Sequence, residues 1–468
     1  MPRLLTLVIV FALIAGCGTA TPLSTPLPAA LTPTVIPTST SLPTPTAIPS
    51  PIPNTLYVNP SQSLGPISPL IYGSNYGPWL VVSFEMLQQA YDSGIAILRF
   101  PAGAWGDEND MRTYQIDQFM AFASEMGATL MINVRLLGGT PEQAAGIVHY
   151  VNIAKKYNVR YWGIGNEPTL YHNKLKGRGE SYDTVRFNKE WREFALAMKN
   201  VDPTIKLVGP EAHQYSYDIV GTTNYDKEIA RDINGLYWMD EFLKANGDLV
   251  DVVSFHRYPF PRSNMSGPPS VDELRRNTQE WDRIIISLRE LIHQHTGRDL
   301  PMAITEFNSS FNKSVGGEAT TDSHYNAVWL ADVLGRMIKN GVFMANEFAL
   351  TAKGGLGGSG LIGQYDVYPA YYAYQMYKRF GNELLYSSSD DPNVSIYAAR
   401  REDGALTIMI VNLSLEERAK ALRIEDQASV EAEAWLFDPT HKAENVGAME
   451  LSGAVAIPPQ SVTLLVVK

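Results

Sequence analysis

The 468-residue sequence contains a single cysteine, Cys17, and between Arg3 and Glu85 it carries no charged side chain at all. The first scarcity excludes an intramolecular disulfide framework and a cysteine-based zinc cage. Cations are also in deficit: Lys and Arg number 38 against 49 Asp and Glu, a formal net charge of −11. That balance argues against nucleic acid or an anionic membrane surface as the main partner, because both are bound through Lys/Arg patches. A membrane span needs about 20 apolar residues, and the apolar run at residues 4–15 is shorter. The chain is otherwise ordinary for a folded protein, 45% hydrophobic and 19% charged. Wholesale disorder is therefore excluded, and at roughly 100–200 residues per domain there is room for about two or three domains.

Residues 1–17, MPRLLTLVIVFALIAGC, have a secretory signal layout, with Arg3 as a short basic start, an apolar stretch, and small Ala15 and Gly16 before the cysteine. The run Ile14-Ala15-Gly16-Cys17 resembles the bacterial lipobox, in which the cysteine is lipidated and becomes the mature N-terminus. That resemblance implies that Cys17 anchors the protein at the outer face of a bacterial membrane and has no part in catalysis. Residues 18–53 hold ten prolines, nine threonines, four serines and no charge. Such a segment lacks the apolar surface to offset its ordering entropy. Residues 18–54 are thus expected to be a disordered, extended tether of polyproline character.

From residue 55 short apolar runs alternate with amphipathic stretches. Strands are expected at 71–75, 95–100, 129–135, 161–166, 206–210, 250–256, 302–306 and 342–348. Helices are expected near 83–93, 115–126, 141–157, 187–200, 238–246, 271–295, 323–339 and 369–380. The strands are nearly continuous in apolar character, as in a parallel sheet buried on both faces. Eight strand–helix pairs define a (β/α)₈ barrel at 55–384. The competing architecture is an open doubly wound sheet, but the first turn, Gly73-Ser74-Asn75-Tyr76-Gly77, lacks its glycine spacing. The glycine-rich stretch 354–363 lacks a following Lys-Ser/Thr and reads as a mobile loop. After about residue 385 helical patterning stops, and five strand-like runs imply a small antiparallel β-sandwich over 385–468. Residues 56–59 lie ahead of the barrel and are expected to add a strand to it.

Reacting groups in such a barrel project from the C-terminal ends of the strands. The polar residues there are Asn75, Arg99, Asn133, Arg135, Asn166, Glu167, Glu211, His213, His256, Arg257, Tyr258, Glu306, Asn308, Asn346 and Glu347. Glu167 and Glu306 end the fourth and seventh strands, which face each other across the mouth. Two carboxylates so placed can carry out a double displacement at an acetal carbon: one attacks, the other first donates a proton and then activates water. The charge on the attacking group should raise the pKa of its partner. Glu211, His213 and His256 can be imagined as a metal cluster, but carboxylate–His pairs at strand ends are more often hydrogen-bonded partners, and no metal or other cofactor is expected.

Four segments, each on a barrel strand and in order, sharpen this. Tyr161-Trp162-Gly163-Ile164-Gly165-Asn166-Glu167-Pro168 resembles the acid/base motif of glycoside hydrolase clan A. Ala303-Ile304-Thr305-Glu306-Phe307-Asn308-Ser309-Ser310 resembles its nucleophile motif. Ser254-Phe255-His256-Arg257-Tyr258-Pro259 and Leu98-Arg99-Phe100-Pro101-Ala102-Gly103 are similar to its sixth-strand His-x-Tyr and second-strand Arg elements. The resemblance covers roughly residues 56–380. It implies that Glu167 is the acid/base and Glu306 the nucleophile. Asn166 would then bind the sugar 2-hydroxyl, Arg99 would hold Glu306 ionised, Tyr258 would donate to Glu306, and His256 would sit in the sugar subsite. Features of families 39, 44, 51 and 79 are mixed. The Trp that many clan members carry at the end of the eighth strand is absent from Asn346-Glu347-Phe348.

Trp79, Trp105 and Trp238 fall in expected strand-to-helix loops and are candidates for stacking on sugars, while Trp191, Trp281 and Trp329 read as packing residues. The expectation is a lipid-anchored, extracytoplasmic retaining glycosidase, a monomer with a carbohydrate substrate. A non-catalytic glycan-binding lipoprotein and a transglycosylase using the same residues are the alternatives.

Overall fold

The structure, a computed structural model, describes residues 51–215, 230–260, 267–311, 314–351, 358–427 and 429–468. The signal layout with Cys17, the tether up to residue 50, and most of the first half of the glycine-rich stretch lie outside them.

Strand β1 (Thr55–Pro66) precedes eight short strands: β2 (Gly73–Asn75), β3 (Ile97–Phe100), β4 (Thr129–Val134), β5 (Tyr161–Ile164), β6 (Lys206–Ala212), β7 (Val252–Arg257), β8 (Met302–Phe307) and β9 (Met344–Glu347). Strands β2 to β9 pair in parallel, each with the next, and β9 closes on β2. The (β/α)₈ barrel expected from the alternation is therefore present. The barrel floor is one layer of apolar side chains: Ile97, Met131, Tyr161, Val208, Val252, Ala303 and Met344, with Leu70 beneath them. Side chains alternate along a strand, so the next inward residue lies two positions on. There the row turns polar: Arg99, Asn133, Thr305 and Asn346, all buried. The apolar floor supports the polar layer and keeps water from reaching it from below.

The helix expected at 271–295 is two helices, Val271–Asn277 and Glu280–Thr296, and the one at 141–157 is an α-helix to Val148 followed by a π-turn. No helix among the described residues is long and apolar enough to cross a membrane.

Strands β10 (Glu383–Ser388), β11 (Val394–Arg400), β12 (Leu406–Asn412), β13 (Arg418–Ile424), β14 (Val430–Phe437), β15 (Lys442–Leu451), β16 (Ala454–Ile457) and β17 (Ser461–Val467) join β1 in a second, largely antiparallel sheet. Its order is β15-β14-β17-β12-β11-β10-β1-β13-β16. Residues from strands at both ends of that order, among them Leu56, Ile410, Ala434, Leu422 and Ile457, share one apolar core, as in a sandwich. The segment at 56–59 does not extend the barrel: β1 pairs antiparallel with β10 and parallel with β13. The sandwich is completed by chain that precedes the barrel, since β1 lies between β10 and β13.

Alternation also explains why β12 is buried on both faces. Ile408 and Ile410 enter the sandwich core, while Met409 and Val411 join the core shared with the barrel helices. Tyr397 on β11 donates its hydroxyl to Asp332 in the helix His324–Lys339 at 2.6 Å. Gly335 of that helix permits the approach, since a Cβ there would come within 2.2 Å of the Tyr397 ring.

Candidate active site

Arg99 is the hub. Its side chain is fully buried, and each guanidinium nitrogen has an assigned acceptor. Nε donates to Glu211 Oε2 at 2.9 Å, Nη1 to Asn75 Oδ1 at 2.9 Å and to Glu306 Oε2 at 3.2 Å, and Nη2 to Asn166 Oδ1 at 2.8 Å. The planar fork thereby fixes residues from β2, β8 and the β5 and β6 ends relative to one another. Glu306 Oε1 accepts the Tyr258 hydroxyl at 2.7 Å. Burial, then the Glu306 charge, pushes the Tyr258 phenol well above its ordinary pKa, so it remains a donor.

Glu167 follows β5 with a left-handed backbone, φ 51°. Its Oε1 lies 2.5 Å from His213 Nδ1 and 3.0 Å from His256 Nδ1. His256 Nδ1 is also 3.8 Å from Glu306 Oε2, and its Nε2 is 3.5 Å from Glu211 Oε2. One oxygen of Glu167 and one of Glu306 lie within 4.8 Å of each other. The Glu167 side chain is 16% exposed against 8% for Glu306, so the former is the one more open to exchange protons with solvent.

Burial alone would lower the His256 pKa, but the Glu306 charge and hydrogen bonds with Glu167 and Glu211 outweigh it and raise it to about 9. Burial would raise Glu167, but His213 and His256 outweigh it and hold the carboxyl well below its usual range. The expectation that the charge on Glu306 raises Glu167 is thus corrected: two imidazoles stand between that charge and its effect. Glu211 is likewise held low, with burial overcome by Arg99 and then His256.

The local chain explains how these groups are held. Glu167 N–H donates to Glu211 C=O at 3.0 Å, and His213 N–H donates to Thr169 Oγ1 at 3.2 Å, tying the β5 and β6 ends together. Glu211 and Gln214 share the left-handed conformation of Glu167, with φ 60° and 54°. Such backbone conformations in non-glycine residues collect where surrounding contacts over-determine them, characteristically at functional sites. Gln214 clamps the Tyr258 main chain, accepting its N–H at 3.0 Å and donating to its C=O at 2.8 Å. Asp107 accepts the Asn166 N–H at 2.7 Å and the Tyr171 hydroxyl.

The structure brings Arg99, Asn166, Glu167, His256, Tyr258 and Glu306 together. Trp79 is half-buried, 6.0 Å from Phe348 between ring centroids, with its indole N–H buried and without a partner. Trp79 and Phe348 thus form an aromatic wall beside β9, where the sequence reading had noted only a missing Trp. Trp105 is half-buried on the short helix Trp105–Glu108, on which Asp107 lies. Trp238 is not a loop residue: it opens the helix Trp238–Asn246 and is buried edge-on to Phe187, so it is a packing residue. Sequence reasoning gave His213 no role at Glu167; the signal available was its position two residues past a strand-end carboxylate.

Glu167, His256 and Glu306 each offer one atom of metal-ligand type. A cation there would be opposed by the Arg99 guanidinium on Glu306 and by a cationic His256. The donor set therefore suits proton transfer better than metal binding. Glu211, in the other imagined cluster, is committed to Arg99, Asn133 and Thr305.

An eight-stranded parallel barrel carrying paired carboxylates at its mouth, with a sandwich appended, is the architecture of clan A glycoside hydrolases. Comparison with solved structures supports that fold. A bifunctional glucanase-xylanase from a metagenome library superposes with a TM-score of 0.67 at 19% identity, covering 88% of this chain and 98% of that one. An arabinofuranosidase of family 51 from Xanthomonas axonopodis pv. citri gives 0.68 at 16% identity, covering 88% and 99%. A family 44 xyloglucanase from Paenibacillus polymyxa gives 0.65 at 16%, also covering 88% and 99%. Among curated proteins, heparanase of Bos taurus is 25% identical over 327 residues, 64% of this chain and 53% of the relative. The chain therefore spans about half the length of that relative. No family model matches.

Proposed function

We propose that the protein is a retaining glycoside hydrolase that cleaves O-glycosidic bonds of poly- or oligosaccharides, with Glu306 as nucleophile and Glu167 as acid/base. The observation that carries this reading is the pairing of the two carboxyls, with oxygens within 4.8 Å, in a site where Arg99 and Tyr258 both donate to Glu306. Carboxyls of retaining enzymes stand about 5–5.5 Å apart, and those of inverting enzymes about 6.5–9.5 Å, with room for a water between. Glu306, which accepts from Arg99 and Tyr258, attacks the anomeric carbon as the glycosidic oxygen leaves with a proton delivered through the Glu167 carboxyl. A water then attacks the glycosyl-enzyme, giving its proton back to Glu167, and Glu306 is released. Asn166, fixed by Arg99 at 2.8 Å and by Asp107 at 2.7 Å, is placed to hydrogen-bond the sugar 2-hydroxyl.

The neighbours' substrates point to arabinofuranosides, xylans, glucans or xyloglucan, and the likeness to heparanase adds a heparan-like glycan. The test is a panel of aryl glycosides of these sugars with wild type and Glu306→Ala. Turnover by wild type, loss in Glu306→Ala, and formation of a glycosyl azide of inverted configuration when azide is added support the reading. Binding of glycans without any turnover would favour a non-catalytic role. Residues 1–54 support anchoring at the bacterial cell surface; Cys17→Ser should release the protein from the membrane fraction.

A further inference from the structure

Beside the carboxylate pair, the mouth of the barrel carries an imidazole that the double displacement does not itself require. We propose that His213 is a positioning residue for Glu167, holding the acid proton jointly with it, Nδ1 on Oε1. The inference rests on the glycosidase reading and adds a residue to it.

The geometry supports it from both sides. His213 Nδ1 lies 2.5 Å from Glu167 Oε1, closer than His256 Nδ1 at 3.0 Å. The imidazole is held in place from its own main chain, whose N–H donates to Thr169 Oγ1, two residues past Glu167. The Phe311 ring packs near it, with centroids 6.5 Å apart. The two histidines are not equivalent. His256 is surrounded by Glu167, Glu211 and Glu306 and stays cationic, so its charge is spent on balancing the carboxylates. His213 faces Glu167 from β6 and is 5% exposed at its side chain, sheltered yet not sealed from solvent.

Among the described residues, the charged and titratable groups around the pair are Arg99 from β3, Glu211 from β6, His256 and Tyr258 from β7 and its end, and Glu306 from β8. Two cations, Arg99 and His256, stand against the carboxyls of Glu211 and Glu306. Alone beside a cationic His256, Glu167 would lose its proton in the acid range, and no acid would remain at neutral pH. An imidazole nitrogen at hydrogen-bond distance from Glu167 Oε1 gives the pair a second site on which that proton can rest. On cleavage the bond from C1 to the leaving oxygen breaks as the bond from C1 to Glu306 forms. The pair's proton passes through the Glu167 carboxyl to the leaving oxygen, leaving carboxylate and neutral imidazole. The incoming water returns one proton to the pair when the glycosyl-enzyme is hydrolysed.

The experiment compares wild type with His213→Ala and His213→Asn, the latter placing an amide N–H where Nδ1 stood but unable to titrate. With the aryl glycoside that wild type turns over best, the alkaline limb of kcat/KM should move toward acid by about one pH unit or more in both variants. At pH 7.5 the loss on the phenyl glycoside should exceed that on the 2,4-dinitrophenyl glycoside about tenfold or more, because the poor leaving group needs the acid. A limb unmoved in both variants, a limb restored by His213→Asn, or equal losses on the two leaving groups would overturn the proposal. A second readout does not depend on turnover. In protein labelled with ¹³Cε1-histidine, the His213 resonance, assigned by its absence in His213→Asn, should show a different titration midpoint in Glu167→Gln from that in wild type, because its Nδ1 loses the carboxylate partner. An unmoved midpoint overturns the proton sharing. Absence of turnover by the wild type on every glycoside would instead sink the glycosidase reading, with the NMR titration still deciding the pair.

Discussion

Replacing Arg99 by Met keeps an unbranched apolar stem and removes the guanidinium at the hub. The guanidinium contacts Glu211 at 2.7 Å and Glu306 at 3.2 Å, with both Arg99 and Glu211 fully buried. Removing one partner of a buried ion pair costs about 3–5 kcal/mol, because the other charge stays buried. His256, 3.5 Å from Glu211 and held cationic, compensates in part and keeps the figure within that range. For a folded unit of this size the loss corresponds to a fall in Tm of about 3–6 °C. The sign of the pH dependence follows from Glu211, whose carboxyl is held well below its ordinary value. A depressed carboxylate contributes stability that is complete above the unfolded pKa, about 4.3, and is lost as pH falls through the folded pKa. The deficit of Arg99→Met should therefore be full at pH 7 and shrink at about pH 3.5, as wild type gives up the stability the variant never had. Urea unfolding at the two pH values measures it. A deficit under about 1 kcal/mol at pH 7, or one that grows with acid, would refute the assignment of Arg99 as the charge at the centre of the site.

Tyr258→Phe removes a hydrogen bond to a charged group, worth about 1.5–3 kcal/mol; kcat/KM should fall about 10–100-fold and Tm by about 2–3 °C, measured by kinetics beside a melting curve. Trp79→Ala removes one side of the aromatic wall; about 60 Å² of stacked ring at about 25 cal/mol per Å² is about 1.5 kcal/mol, so KM should rise about tenfold with kcat less affected. Glu347, on β9, is buried and pushed well above the usual carboxyl pKa by that burial, with Asn308 donating to it at 2.9 Å. Its penalty is absent below about pH 4.3 and grows as pH rises toward the folded value. Glu347→Gln should accordingly gain stability relative to wild type between pH 5 and pH 9, and a flat difference in unfolding free energy across that range would contradict this.

Much of the barrel was legible because its strands are buried on both faces and therefore read as uninterrupted apolar runs ended by polar residues. Arg99, Glu167, His256, Tyr258 and Glu306 each sit in such a run or at its end, so contiguous sequence carries them. What escaped depends on contacts between distant segments. Strand β15 (Lys442–Leu451) is mostly exposed, and its identity as a strand comes from pairing with β14. The destination of β1 is set by partners more than 300 residues away, Ser388 opposite Tyr57 among them. Trp238 lies at a helix start, where sequence spacing does not separate a packing ring from a wall of the site. The opposite sign of the Glu167 shift arose because the expectation weighed one neighbouring carboxylate, whereas the fold places His213 and His256 between the pair. The aromatic partner of Trp79 is Phe348, a ring that follows the eighth strand where a Trp is absent.

The central claim is that Glu306 forms a covalent bond to the sugar. The most direct measurement incubates wild type with the 2-deoxy-2-fluoro analogue of its best aryl glycoside, carrying a dinitrophenyl leaving group, followed by intact-mass and peptide mass spectrometry. The account predicts a mass increase of one fluoroglycosyl group on the peptide containing Glu306, absent in Glu306→Gln. Turnover of the parent glycoside with no adduct, or an adduct on another residue, would contradict it.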